Sequence, residues 1–217
     1  MGKAVGLVDG FNLYHALDSR SRYVGYRYHR YKWIDYRKLC EQFVPAADTV
    51  NSVYLFTAYN AWEGNTGDSK RRRHAKLIQV NEDRGVLLTW GYFRPVTKTC
   101  KLDVPRAAIQ YDTFEEKRTD VAIAVRLVAL AYQKAYDRIL LVTGDSDLIP
   151  SIEEAKRVHP AGEIVNVVPI ERRAEALKNV CDLQMHMKVR HLAASRLPDT
   201  VVLKSGVLVH CPPEWTA

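Results

Sequence analysis

Short, nearly unbroken apolar runs alternate along this chain with longer segments in which apolar residues recur every third or fourth position. The first kind predicts buried strands at residues 4–9, 52–57, 86–92, 138–143 and 163–168. The second predicts helices at 12–18, 35–43, 68–83, 119–135, 148–158 and 173–187. Regular alternation of the two implies an α/β domain in three layers, α/β/α, with a mainly parallel sheet covered on both faces. The stretch "TDVAIAVRLVALAYQKAYD" is apolar nearly all round, with Arg126 as its only early charge. That helix is expected to lie buried on the sheet, with Thr119 or Asp120 as its N-cap. Pro150 suits the first turn of the next helix.

The tail reads differently. In "VVLKSGVLVH" two strand-like runs flank Lys204, Ser205 and Gly206, the pattern of a small hairpin. Such a hairpin would either add an edge strand to a neighbour or cover its own sheet. With 217 residues the chain fits one domain, taken as residues 1–195, with 196–217 as an appendage packed on it.

Charge adds a partner class. There are 32 lysines and arginines against 25 aspartates and glutamates, a formal net charge of +7, which favours polyanions and above all nucleic acid. No apolar stretch reaches the length of a bilayer span, so no membrane is expected. Cys40, Cys100, Cys181 and Cys211 are widely spaced and form no CxxC pair. Reduced thiols in a cytoplasmic protein are the expectation.

Carboxylates supply the candidate chemistry. Asp9 ends the first predicted strand in "GLVDGFN", and Asp145 and Asp147 follow the fourth in "LLVTGDSD". Asp120 opens the helix that leads into that fourth strand. In an open parallel sheet, ligands sit outside the carboxyl ends of the strands where the winding direction reverses. Unpaired carboxylates gathered there would repel, and one would take up a proton unless a cation stood among them. Mg²⁺ or Mn²⁺, which prefer oxygen ligands and keep several waters, would relieve that repulsion. The expected metal ligands are thus Asp9, Asp120, Asp145 and Asp147. Taken singly, each also reads as an ordinary cap or turn former, Asp147 before "LIPSIEEAKR" above all. Their shared edge is what favours the metal.

Three stretches, "LVDGFNLYHAL", "EEKRTDVAIAVRLVALA" and "ILLVTGDSDLIPSI", occur in this order between about residue 4 and about residue 182. Together they resemble the NYN domains, the YacP-like branch of the PIN-like nucleases. The resemblance implies a compact α/β/α fold and an acidic pocket built from Asp9, Asn12, Asp120, Asp145 and Asp147. It also implies the activity of the members characterised as enzymes: metal-dependent hydrolysis of RNA phosphodiester bonds, with Mg²⁺ or Mn²⁺ as cofactor. The amide of Asn12 would bond a ligating carboxylate or a phosphate oxygen. Glu116 reads equally as an outer ligand or as a solvated loop residue, and Thr143 or Ser146 as a hydrogen-bonding neighbour of the site.

Other chemistries fit less well. "DGFN" and "GDSD" hold no histidine, so a metal-free histidine-pair ribonuclease has no support there. "GDSD" is also a DxD at a strand end, as in Toprim domains, but those want a glutamate where this chain has Asp9. A haloacid-dehalogenase-like phosphatase wants DxD after the first strand. P-loop and GxGxxG signatures are absent from the sequence. The alternative outside enzymology is a NYN-like module that binds RNA or a protein partner without cutting.

RNA, single-stranded or structured, is the expected partner. "SRSRYVGYRYHRYKW" interleaves arginines with tyrosines and offers Arg27, Arg30 and Tyr28 as phosphate and base contacts. "SKRRRHAK" places Arg71, Arg72 and Arg73 near a predicted helix N-terminus. Plain alternatives stand beside both: tyrosines packed on a long loop, and a solvated cationic face. Lys117 and Arg118, next to Asp120, are placed to hold a substrate phosphate.

Overall fold

A computed structural model describes residues 2–18, 28–59, 65–101 and 108–216. Its centre is β1 (Lys3–Asp9), paired in parallel with β2 (Thr49–Thr57) on one side and β6 (Arg138–Val142) on the other. β3 (Val86–Trp90), β7 (Glu163–Val168) and β8 (Leu183–His186) extend this to an all-parallel sheet of six strands, in the order β3-β2-β1-β6-β7-β8. Successive side chains of β1 serve opposite layers. Ala4 and Val8 join one apolar cluster, Val5 and Leu7 the other, so both faces are dry.

Helices α1 (Gly10–Asp18), α2 (Tyr36–Glu41) and α3 (Asn65–Asp83) cover the first face, and α4 (Thr119–Tyr132) and α5 (Ile149–Val158) the second. The three-layer α/β/α architecture expected from the alternation is therefore present. Two glycines permit its tightest approaches. A Cβ at Gly6 would lie 2.6 Å from the Cys40 sulfur, and one at Gly10 would lie 2.7 Å from the Phe56 carbonyl oxygen. Gly10 thus lets α1 begin directly at the end of β1, beside the end of β2.

Winding runs outward from β1 through β2 to β3, then returns beside β1 and runs the other way through β6, β7 and β8. The reversal lies between β1 and β6. Asp9 and the Thr143–Asp147 turn sit at the carboxyl ends of those two strands.

Several elements depart from the sequence expectation. Residues 173–187 do not form one helix: α6 (Glu175–Lys178) ends after four residues and the chain becomes β8. The physical reason is the open side of β7. β8 pairs with it, and the Gln184 amide donates to Asn166 Oδ1 at 3.0 Å, satisfying a fully buried side chain that a helix would leave unmet. The strand expected at 86–92 stops at Trp90, and an unexpected antiparallel hairpin follows, β4 (Tyr92–Lys101) with β5 (Ala108–Lys117). Most of its described side chains reach solvent, so it lacks the apolar run that announces a buried strand. α3 starts at Asn65 rather than near residue 68, so Arg71–Arg73 lie inside the helix and not at its N-terminus.

The N-cap of α4 also differs. Arg118, with φ 84°, occupies the cap position in the left-handed region and caps nothing with its side chain. Glu116 serves instead, accepting from the Thr119 backbone N–H at 3.2 Å and from the Thr119 hydroxyl. Pro150 does fall in the first turn of α5.

After α7 (Val189–Ser195), β9 (Thr200–Val202) and β10 (Leu208–His210) make the small hairpin read from the tail. Val201, Leu203, Val209 and Trp215 are buried in the same cluster as α1 and α2, so the hairpin covers its own chain's core. Among the described residues no helix is long and apolar enough to cross a membrane. Cys40, Cys181 and Cys211 are buried and free.

Candidate active site

Asp9 organises the edge. It is buried, with 3% of its surface exposed, yet no lysine, arginine or histidine pairs with it among the described residues. Its Oδ1 accepts from the Asn12 backbone N–H at 2.8 Å, a bond made possible by the immediate start of α1. Its Oδ2 accepts from the Thr143 hydroxyl at 2.9 Å. Burial pushes the Asp9 carboxyl up to about 6; those two hydrogen bonds oppose the rise, and the charges of Asp120 and Asp145 add to it.

The turn after β6 is folded around the same group. Thr143 is fully buried, and its hydroxyl also accepts from the Asp145 N–H at 3.1 Å. The Asp145 carboxylate in turn accepts from the Asp147 N–H at 3.0 Å, a cap for the short turn ahead of α5. Behind them the Asn166 amide donates to the carbonyl of Thr143 at 2.9 Å and anchors the turn to β7. Asp145 is half-buried and Asp147 is exposed. Asp120 projects from the first turn of α4 at the open rim. Desolvation there raises its carboxyl above the usual range, and the negative charges of Asp145, Glu116 and Asp147 reinforce the shift.

Four aspartates from three distant parts of the chain therefore share one edge and feel one another's charge. They do not form a ready-made ligand sphere: among the described residues no three acidic, imidazole or thiol groups converge on a single point. An all-carboxylate set with an uncompensated buried member nonetheless fits a hard divalent cation. Such an ion would be held by one or two carboxylates directly and by the others through water, the mode Mg²⁺ favours.

Beside this acidic edge lies a pocket of opposite character, of about 380 Å³, lined by Phe11, Asn12, His15, Gly144, Arg172 and Arg173. Asn12 belongs to both regions: its side-chain oxygen accepts from the Gly144 N–H at 3.2 Å while its own N–H serves Asp9. Phe11 is 40% exposed and meets the His15 ring edge-on at 4.2 Å. Burial, together with the cations Arg172 and Lys32, keeps the His15 imidazole below its ordinary pKa, against the pull of Asp18. Neither arginine has a carboxylate partner among the described residues. Sequence reading missed Phe11, His15, Arg172 and Arg173. His15 stands inside the first motif stretch, three residues after Asn12, and was the legible member.

The basic residues expected to contact RNA are scattered. Lys117 pairs with Glu115 at 3.0 Å, and the Arg118 guanidinium lies 4.5 Å from the Tyr92 ring centre. Arg73 is paired with Glu214. Arg71 lies 5.5 Å from the ring centre of Tyr59, which stacks on Trp90 at 4.4 Å, and Arg72 is exposed. Arg71 sits by the carboxyl ends of β2 and β3, away from the switch point. Arg30 is exposed over Tyr31, whereas Tyr28 is buried, at 6% exposure, with its hydroxyl donating to Glu171 at 3.1 Å. Its ring offers no face for base stacking. Arg27 lies outside the described residues. Glu116 is occupied in capping Thr119, and Thr143 hydrogen-bonds at the site as expected.

Comparison with known proteins agrees with this geometry at the level of the fold. A crystal structure of a protein of unknown function, VPA0982 from Vibrio parahaemolyticus, superposes with a TM-score of 0.54 over 86% of this chain and 93% of that one, at 16% identity. Over 227 aligned positions the chain is 25% identical to 6-hydroxy-3-succinoylpyridine 3-monooxygenase HspA of Pseudomonas putida, covering 89% of this chain and 70% of that protein. The family model of the NYN domain matches residues 4–188. With the switch-point carboxylates on a parallel sheet of this order, that match over most of its length makes the chain a member of the NYN domain family, with a PIN-like nuclease fold.

Proposed function

We propose that the protein is a metal-dependent ribonuclease whose reaction centre is the edge formed by Asp9, Asp120, Asp145 and Asp147. NYN domains are generally nuclease-like, and PIN-like nucleases typically use divalent metals. The observation that carries the reading is Asp9: a buried carboxyl pushed to about 6, with further carboxylates around it and no cation paired with them among the described residues. A site of that kind is costly for the fold unless something positive occupies it. Mg²⁺ or Mn²⁺ would supply activation of water and compensation of phosphoryl charge.

The chain's own part is positional. Thr143 and the Asn12 N–H hold both oxygens of Asp9, fixing its plane. The Asp147 N–H fixes Asp145, and Glu116 holds the start of α4 so that Asp120 faces the same rim. Asp120 and Asp147, reached by solvent, are suited to meeting an ion through water, while half-buried Asp145 is suited to meeting it directly. Arg118 at the foot of the β4–β5 hairpin is proposed to steer the RNA backbone toward that rim, and Arg30, Arg71 and Arg72 to attract it at longer range, whereas Lys117 and Arg73 are held by Glu115 and Glu214.

The test is incubation of purified protein with single-stranded and structured RNAs plus Mg²⁺ or Mn²⁺. Cleavage that stops with EDTA and in Asp145→Asn supports the enzyme. Tight RNA binding with no products under any metal would make the protein a binding module instead. The monooxygenase similarity supplies a second check, because oxygen-dependent turnover of 6-hydroxy-3-succinoylpyridine by the purified protein would overturn the hydrolytic reading.

A further inference from the structure

We infer that the pocket of Phe11, Asn12, His15, Gly144, Arg172 and Arg173 is a phosphate-binding subsite that takes the RNA phosphate next to the one at the carboxylate edge. The inference rests on the nuclease reading for the neighbouring edge, but its own support is geometric. The pocket is lined by two arginines, an imidazole and an amide, with no carboxylate in its wall. Arginine forks suit phosphate oxygens, and neither arginine of this wall has a carboxylate partner among the described residues. At about 380 Å³ the space lies within the range of small-ligand pockets, enough for a phosphate and part of its nucleotide.

The arginines are presented by a braced loop. Ile170 and Ala174, on either side of them, are buried at 7% exposure, one in each of the two apolar layers. Between them Glu171 takes a left-handed conformation, φ 58°, unusual for a residue with a side chain. Its carboxylate is held by the Tyr28 hydroxyl, and the Arg172 N–H returns to the Pro169 carbonyl at 3.1 Å. The Gln184 amide holds the Ala174 carbonyl at 2.9 Å. Two adjacent arginines are thus held at the carboxyl end of β7 as lining of the space shared with Asn12 and Gly144, with Arg172 near enough to His15 for its charge to act on the imidazole.

That space adjoins the acidic edge through Asn12, whose backbone serves Asp9 and whose side chain serves Gly144. An RNA strand crossing both regions would bring one phosphate to the carboxylates and the neighbouring phosphate to the arginines. The exposed ring of Phe11, backed at 6.0 Å by Phe93, is a wall for the intervening ribose or base. The phosphate comes either from a 5′-monophosphate terminus or from an internal phosphodiester.

The experiment is RNA binding by the whole chain in EDTA, where nothing is cut. The probes are 3′-fluorescein single-stranded RNAs carrying a 5′-monophosphate or a 5′-hydroxyl. Arg172→Ala combined with Arg173→Ala should weaken binding about tenfold and reduce the slope of log affinity against log salt by about 1.4, two contacts on a single strand. Arg172→Lys with Arg173→Lys should recover part of the affinity and all of the salt slope. If the parent protein prefers the 5′-monophosphate and the alanine pair erases the preference, the phosphate is terminal. Equal losses on both probes make it internal. Unchanged affinity and slope in an alanine pair of unchanged Tm overturn the subsite. Inorganic phosphate titrated into isotope-labelled parent protein gives a reading free of variants: amide shifts at Gly144 and Arg173 are expected, and none there is equally fatal. The two readings fail separately. Cleavage without any role for the arginines sinks only the subsite, and arginine-dependent binding without cleavage sinks only the nuclease.

Discussion

The acidic edge and the basic pocket share Asn12 and Gly144 yet are built by opposite means. The edge is made from motif residues that hold one another: Thr143 to Asp9, Asp147 to Asp145, Asn12 to Asp9. The pocket is made from an aromatic, a histidine and two arginines braced by residues far away, Tyr28 and Gln184 among them. Carboxylates that must lie close together need local hydrogen bonds, because otherwise mutual repulsion would spread or protonate them. Arginines with long, water-tolerant side chains need only a fixed backbone beneath them. Chemistry that costs the fold stability is therefore tied into its strand ends, and chemistry that costs little is hung on a loop.

That contrast can be broken in graded ways. The largest effect is expected from Asp145→Asn, which should lower metal-dependent RNA cleavage on the order of a hundredfold or more while leaving RNA binding in EDTA intact. Parallel cleavage and filter-binding assays decide it, and an equal loss in both would erase the division of labour.

Next comes stability. Asp9 has a folded pKa of about 6, above the 3.8 of an ordinary aspartate, so between those values the native state binds more protons than the unfolded chain. The contribution of this group is therefore fully present below about 3.8 and is lost as pH rises through about 6, amounting to about 3 kcal/mol. Asp9→Asn should abolish that loss, so that in EDTA above about pH 7 the inactive variant melts higher than the parent. Melting curves across pH are the check; a variant that melts lower at every pH would mean the carboxylate is not held at a cost.

Thr143→Val keeps the shape of the side chain and removes the donor to Asp9. The acid limb of the cleavage profile should then move up by about one pH unit, the worth of one hydrogen bond to a charged group. A pH–rate profile with an unmoved limb would place the titrating group elsewhere. The smallest effect belongs to the loop: Tyr28→Phe frees Glu171 and should weaken RNA binding about threefold in EDTA with cleavage chemistry unaltered. If Tyr28→Phe changes the maximal rate and leaves affinity alone, the brace serves the acidic edge instead.

Legibility in the amino-acid sequence varies by region. Strand ends carrying Asp9 and the Asp145–Asp147 turn were readable because a buried parallel strand leaves an unbroken apolar run, and the residues just after that run lie at the carboxyl edge. The hairpin β4–β5 was not, because solvated strands carry no such run. Nor was β8, whose few residues pair with β7 only once that edge exists.

Sequence alone determined the alternation that makes three layers and the place of Asp9, Asp145 and Asp147 at the ends of β1 and β6 and of Asp120 at the start of α4, all of them consequences of local pattern. Tertiary structure decided what touches what. It buried Tyr28, withdrew Lys117 and Arg73 into ion pairs, and brought Arg172 and Arg173 beside Asn12 across about 160 residues of chain. A charged residue in a loop carries no periodicity, so only the pairing of β6 with β1 and of β7 with β6 could show where its charge would be spent.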